Sequence, residues 1–106
     1  MSQMIIHGDT VYLAGQVANR TAGASVAEQT REILARIDQL LAEAGTDKSN
    51  ILMATVWLAE ISSYAEMNEV WDAWVTPGKP PTRACVESAL AGPAYAVEIR
   101  VIAAKP

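Results

Sequence analysis

The chain has one cysteine, one histidine and no phenylalanine among its 106 residues. A single cysteine, Cys85, excludes an internal disulfide and fits a reducing compartment. One histidine, His7, with no clustered carboxylates leaves too few ligands for a metal site, so no metal and no cofactor are expected. Basic residues are few, eight Lys and Arg against twelve Asp and Glu, for a net charge of −4. They are also scattered, whereas nucleic-acid binding needs them clustered, so no nucleic-acid partner is expected. The apolar runs are strand-length and far short of a membrane span. The amino terminus lacks a basic segment followed by an apolar one, so neither a signal peptide nor a membrane partner is expected, and the cytoplasm is the expected setting. There are no repeats, low-complexity tracts or linkers.

What is present is apolar surface, 51% of the residues, with all aromatic residues Trp or Tyr. The length suits one domain over residues 1–106. A domain of this size buries only about two thirds of its unfolded surface, so self-association is expected to absorb the remainder.

Taken in order, Met4–His7 reads as a short strand, Gly8-Asp9 as a turn, and Thr10–Val17 as a second strand that closes a hairpin. Gly15 inside that strand signals either a bulge or a close backbone approach. Ser25-Val26-Ala27-Glu28 forms a capping box. Val26, Thr30, Ile33, Ile37, Leu40, Leu41 and Ala44 then recur at helical spacing, and Gly45 ends the helix. Ile51–Ala59 has no polar face, so it predicts a strand covered on both sides, one of them by another copy of the chain. Ser63-Tyr64-Ala65-Glu66 is a second capping-box candidate. Tyr64, Met67, Val70, Trp71 and Trp74 follow at helical spacing, with Asn68 off the stripe. Both Trp71 and Trp74 read as core.

Chemistry concentrates in Pro80-Pro81-Thr82-Arg83-Ala84-Cys85-Val86-Glu87 and in Val97-Glu98-Ile99. The prolines preset an extended backbone. A strand starting at Thr82 carries Arg83, and Leu90–Ala94 is expected to turn the chain back into a strand from Tyr95 to Ala104. A charge inside an apolar strand is expensive to bury alone. A hairpin would bring Arg83 and Glu98 onto one face if paired residue numbers sum to an odd number. The pair is then either an edge-strand ion pair or a site. Arg83 suits bidentate capture of a carboxylate, and Glu98 suits proton transfer or orientation of a water. The order β-β-α-β-α-β-β predicts an α+β fold, one layer of helices on one mixed sheet.

Pro-x-Arg-x-Cys-Val-Glu, Val-Glu-Ile, Leu13-Ala14-Gly15-Gln16 and Glu66-Met67-Asn68-Glu69-Val70-Trp71 together resemble the reactive intermediate deaminase family (RidA, or YjgF), and the likeness covers most of the chain. The resemblance implies a chorismate-mutase-like fold in which three subunits press their sheets into a central barrel and leave clefts between neighbours. It implies hydrolysis of enamines and imines such as 2-aminoacrylate and 2-iminobutyrate. Arg83 would bind the carboxylate, and Glu98 with the Cys85 carbonyl would position water. Gly15, Asn68 and Ala84 would join Arg83 in lining the cleft. Two departures stand out. Ala14 replaces a serine found in many members, and the aromatic-bearing segment that precedes the first hairpin of better-known members is missing. Three rival readings remain: a non-enzymatic binder of small carboxylates, a ribonuclease or translation inhibitor, and Cys85 as a nucleophile, for which His7 would have to arrive by folding.

Overall fold

The computed structural model describes residues 1–106. Strands β1 (Met4–His7), β2 (Thr10–Leu13), β3 (Gln16–Val17), β4 (Ile51–Leu58), β5 (Thr82–Glu87) and β6 (Val97–Ala104) form one sheet. Helices α1 (Val26–Glu43) and α2 (Tyr64–Trp74) lie on one of its faces. The two-layer α+β architecture is the expected one. Neither helix is long and apolar enough to cross a membrane.

The strand order is β1-β2-β6-β4-β5, with β3 continuing alongside β6. This corrects the expected hairpin between the Arg83 and Glu98 strands. β5 pairs parallel with β4, and β6 pairs antiparallel with the other side of β4. A parallel pair needs a crossover, and α2 supplies it. The turn expected at Leu90–Ala94 is therefore part of a longer connection, Ser88–Ala96, that carries the chain across the end of β4. The odd-sum condition no longer applies, because Arg83 and Glu98 have no shared ladder.

Gln29 holds that connection. It is 1% exposed on the inner side of α1. Its Nε2 donates to the carbonyls of Ala24 (3.0 Å) and Ala94 (3.1 Å), and its Oε1 accepts from the Ala96 N–H at 2.9 Å. The sequence pattern gave no sign of it, since one polar residue beside an apolar stripe looks solvated.

Two bulges set which side chains face the helices. Tyr12 pairs with Ile102, yet Gln16 pairs with Ile99. Ala14 and Gly15 thus oppose Arg100 alone, and the expected single strand Thr10–Val17 is split there. In β4 the register shifts between Ile51 and Met53, so Leu52 and Met53 both lie outward while Ile51 and Ala54 are buried.

At α1 the expected cap forms by half: the Ser25 hydroxyl accepts from the Glu28 N–H, but Glu28 makes no return bond to the Ser25 N–H. Gly45 has φ +81°, with Gly45 N–H to Ala42 and Thr46 N–H to Leu41, a Schellman ending. The second capping box does not form. A 3-10 turn, Ile61–Ser63, runs directly into α2, and the Ser63 hydroxyl donates backwards to the Glu60 carbonyl. Glu66 instead accepts from the Ala27 N–H at 2.8 Å, so it caps the other helix.

Trp71 is buried at 4% exposure, as expected. Trp74 departs from expectation: it is half-buried, its indole N–H donates to Asp38 (3.0 Å) and the Lys48 ammonium lies over its ring. It ties the two helices together at their outer surface rather than filling the core.

The sheet's second face carries no helix. Val56, Ala54 and Leu58 are buried toward the helices, whereas Ile5, Tyr12, Leu52, Met53 and Val86 remain exposed. β4 is thus covered on one side only within the chain, and the open side is apolar.

Candidate functional site

Arg83 pairs with Ala54, a buried helix-facing residue, so its side chain lies on the helix side of β5. It meets α2 there. One terminal nitrogen donates to Asn68 Oδ1 and the other to the Tyr64 hydroxyl, each at 2.7 Å. The guanidinium carbon lies 5.2 Å from the Trp71 ring centre and 5.5 Å from that of Tyr64, within cation–π range. Tyr64, Asn68 and Trp71 are spaced i, i+4, i+7, which puts them on one side of a helix. Read by that spacing, Asn68 belongs with the aromatic residues, and Tyr64 is a site residue the sequence reading treated only as part of a stripe. Arg83 has only neutral hydrogen-bond partners. Two of its five N–H donors are engaged, and three are left for a ligand.

β5 is an edge strand, with β4 its only neighbour. The Ser88 N–H donates to the Leu58 carbonyl at 2.9 Å. Alternate residues of a parallel strand address the same neighbour. Thr82, Ala84 and Val86 therefore point their backbone groups at β4, and Arg83, Cys85 and Glu87 point theirs outward. The Cys85 carbonyl stands at the free edge beside the Arg83 strand position. Ala84 uses its amide within the sheet, and its exposed methyl lies on the open face, level with Thr55. The Cys85 side chain packs partly against the core. Burial pushes its thiol above the usual range, against the opposing pull of the Arg83 charge. A thiol held protonated is a poor nucleophile, which disfavours that rival reading.

Glu98 lies on the opposite side of the sheet. It pairs with Trp57 on β4 and Val17 on β3, all three outward. Its carboxylate borders a shallow depression of about 160 Å³ formed with Trp57 and Ser88–Ala91. Gly15, at the bulge, is what makes room for it. A Cβ on Gly15 would fall 2.3 Å from Glu98 Oε2 and 3.1 Å from its Cδ. Both meanings open for Gly15, bulge and close approach, are realised together. Gly15→Ala should consequently displace the Glu98 carboxylate while leaving the sheet paired, because the obstructing atoms end a flexible side chain. The expected result is an unchanged circular dichroism spectrum with a roughly tenfold or greater loss in any Glu98-dependent rate, of the order seen when a proton-transfer group is moved. Full retention of rate would show that the seat is irrelevant.

The structure thus gathers the sequence-derived residues into two groups rather than one. Arg83, Asn68 and the Cys85 carbonyl, joined by Tyr64 and Trp71, stand at the β5 edge. Glu98 and Gly15, joined by Trp57, stand on the open face with Ala84. Within one chain Arg83 and Glu98 address opposite sides of the sheet.

The family model described as Endoribonuclease L-PSP matches residues 1–105. A RutC family protein from Haemophilus influenzae is 48% identical over 103 residues, covering 97% of this chain and 89% of the relative. The crystal structure of a YjgF family member from Neisseria meningitidis superposes with a TM-score of 0.96 at 44% identity, covering 100% of this chain and 87% of that one. More distantly, a rat protein named 2-iminobutanoate/2-iminopropanoate deaminase is 29% identical over 107 residues, covering 96% of this chain and 77% of the relative. The resemblance seen in the motifs around Gly15, Asn68, Arg83 and Glu98 therefore extends to the whole fold: the chain belongs to the endoribonuclease L-PSP family, also known as YjgF or RidA.

Proposed function

We propose that this protein hydrolyses enamines and imines derived from amino acids, of the 2-aminoacrylate and 2-iminobutyrate class, to 2-keto acids and ammonia. The observation that carries this reading is the Arg83 guanidinium, held by two neutral oxygens, unpaired with any acid and keeping three N–H donors free. It fits a small substrate carboxylate. The name of the rat relative lends the chemistry, and the lining of the β5 edge lends the means. The Cys85 carbonyl would accept a hydrogen bond from the attacking water or the imine nitrogen. An enamine enters as its imine tautomer. Glu98 would pass one proton from water to the nitrogen as the water oxygen bonds to the imine carbon. It would then pass the second, from the resulting carbinolamine hydroxyl, to the nitrogen as the keto group forms, the carbon–nitrogen bond breaks and ammonia leaves. Such imines also hydrolyse unaided, so alignment of water and substrate is the main requirement.

A single chain separates the two groups, so the proposed site needs a second copy. The open apolar face carrying Glu98 would receive the β5 edge of a neighbour, completing clefts between the subunits of a homotrimer. Light scattering at micromolar concentration should give three times the 11.3 kDa chain mass. A stable monomer would leave the residues apart and remove this mechanism. The single cysteine keeps a cytoplasmic setting as part of the proposal.

The decisive experiment is ammonia release by purified protein from freshly generated 2-aminoacrylate and 2-iminobutyrate. Release well above the buffer rate is expected. Binding of 2-oxobutyrate with no acceleration would favour the carboxylate-binding reading instead. The family description also names an endoribonuclease, but a chain with net charge −4 and eight scattered basic residues offers little to a phosphate backbone.

A further inference from the structure

We propose that Tyr64 is a positioning residue for carboxylate recognition: its hydroxyl, acting with the Asn68 amide, fixes the Arg83 guanidinium without neutralising it. This rests on the reading that Arg83 binds a substrate carboxylate, and it assigns the specificity for an anionic head group to a helix face rather than to the arginine alone.

An arginine side chain is rotamer-rich, and ordering it at the moment of binding weakens affinity. Here it is ordered beforehand. Asn68 Oδ1 and the Tyr64 hydroxyl each hold a different terminal nitrogen at 2.7 Å. The Tyr64 and Trp71 rings flank the same group. The Asn68 amide is itself oriented, since its Nδ2 donates to Asp72 at 3.2 Å, turning the oxygen toward Arg83. The acid at the far end of this hydrogen-bond relay, Asp72, is separated from the cation by the neutral Asn68 amide. An acid in direct contact would pair with the guanidinium, and an incoming carboxylate would then have to displace it. Neutral oxygens orient through hydrogen bonds and leave the charge uncompensated. Tyr64 stands at the solvent side, 40% exposed, so its hydroxyl lies where a ligand would arrive.

Two variants of the full-length protein test this, read by calorimetric titration with 2-oxobutyrate, by kinetics on 2-iminobutyrate and by thermal midpoint. Tyr64→Phe keeps the ring and its stacking but loses the hydroxyl. It should raise Kd and KM about five- to tenfold, with kcat within about twofold, the pattern of lost ground-state positioning. Asn68→Asp keeps the size and puts a carboxylate on the guanidinium. It should raise Kd by about a hundredfold or more while the thermal midpoint stays within a few degrees, a combination that a merely structural contact does not produce. Neutral 2-oxobutyramide, lacking the carboxylate, should bind neither the wild type nor the variants. Wild-type affinity in Tyr64→Phe would overturn the proposal, whatever Asn68→Asp shows. So would losses of affinity that simply follow losses of thermal midpoint. If the wild type binds 2-oxobutyrate but hydrolyses nothing, the hydrolase reading falls and the Kd comparisons still decide this one. If the wild type binds no carboxylate at all, both fall.

Discussion

Arg83→Ala should reduce kcat/KM for a carboxylate-bearing imine by about a hundredfold or more, the scale of a lost charge-assisted, two-point contact. Folding and assembly should be unaffected. The β4–β5 ladder uses the backbone of Thr82, Ala84 and Val86, and removing the side chain strands no deeply buried partner, because Tyr64 and Asn68 both reach solvent. Arg83→Lys keeps the charge on a compact ammonium but loses the planar fork, so it should recover only part of the binding. Glu98→Gln completes the comparison. The amide keeps the size and fits the space left by Gly15, but it cannot accept a proton. It should retain 2-oxobutyrate affinity and lose about 10²- to 10⁴-fold in kcat, the range of general acid–base contributions. Steady-state kinetics and titration on the three variants separate charge, fork and proton transfer. If Arg83→Ala and Glu98→Gln instead both dissociate the assembly, the two residues are structural and the hydrolase reading loses its chemistry.

The largest stability effect is expected at Trp71. It is 4% exposed and packs beneath the Arg83 guanidinium and beside Trp74, with ring centres 5.4 Å apart. Trp71→Ala removes a large buried side chain and leaves a cavity, which costs about 3–5 kcal/mol. Denaturant unfolding should show that loss as a lower midpoint. Trp74→Ala should cost distinctly less, because Trp74 is half-buried and packs only at the margin of the core, with one hydrogen bond to Asp38. Trp71→Ala should also weaken carboxylate binding, since it withdraws one of the two rings against Arg83, whereas Trp74→Ala should not. Equal destabilisation by the two changes would contradict the difference in burial.

Ala14, where the resemblance leads one to expect a serine, sits at the bulge beside Gly15 and offers no hydroxyl there. Any contact that serine makes elsewhere in the family must be absent or replaced. Trp57 borders the Glu98 depression and adds an aromatic wall, and its ring also carries Arg100, 5.6 Å away. These neighbours, with Tyr64 opposite, are the places where substrate choice would be tuned.

The sequence by itself determined the elements. The Ser25 cap, the apolar stripe of α1 and the Gly45 ending are local features, set by backbone hydrogen bonding and positive φ within a few residues. The two-sided apolar strand at Ile51 also announced a face that one chain leaves open. Short-range chemistry of this kind does not depend on what packs where. The tertiary structure alone decided which strand lies beside which. The turn residues at Leu90–Ala94 read as a hairpin, and only the insertion of β4 between β5 and β6 makes them part of a crossing. That insertion puts Arg83 and Glu98 on opposite sides of the sheet. The bulges act in the same way: a shift of one residue exchanges the faces of every side chain beyond it, and at Ala14-Gly15 it buries Gln16 and opens the seat for Glu98. Gln29, Tyr64 and the exchange of Glu66 from its own helix to the cap of α1 were invisible for the same physical reason. Each acts on a partner at least 19 residues away in sequence, and hydrophobic periodicity reports which side of an element is buried, not what waits across the gap.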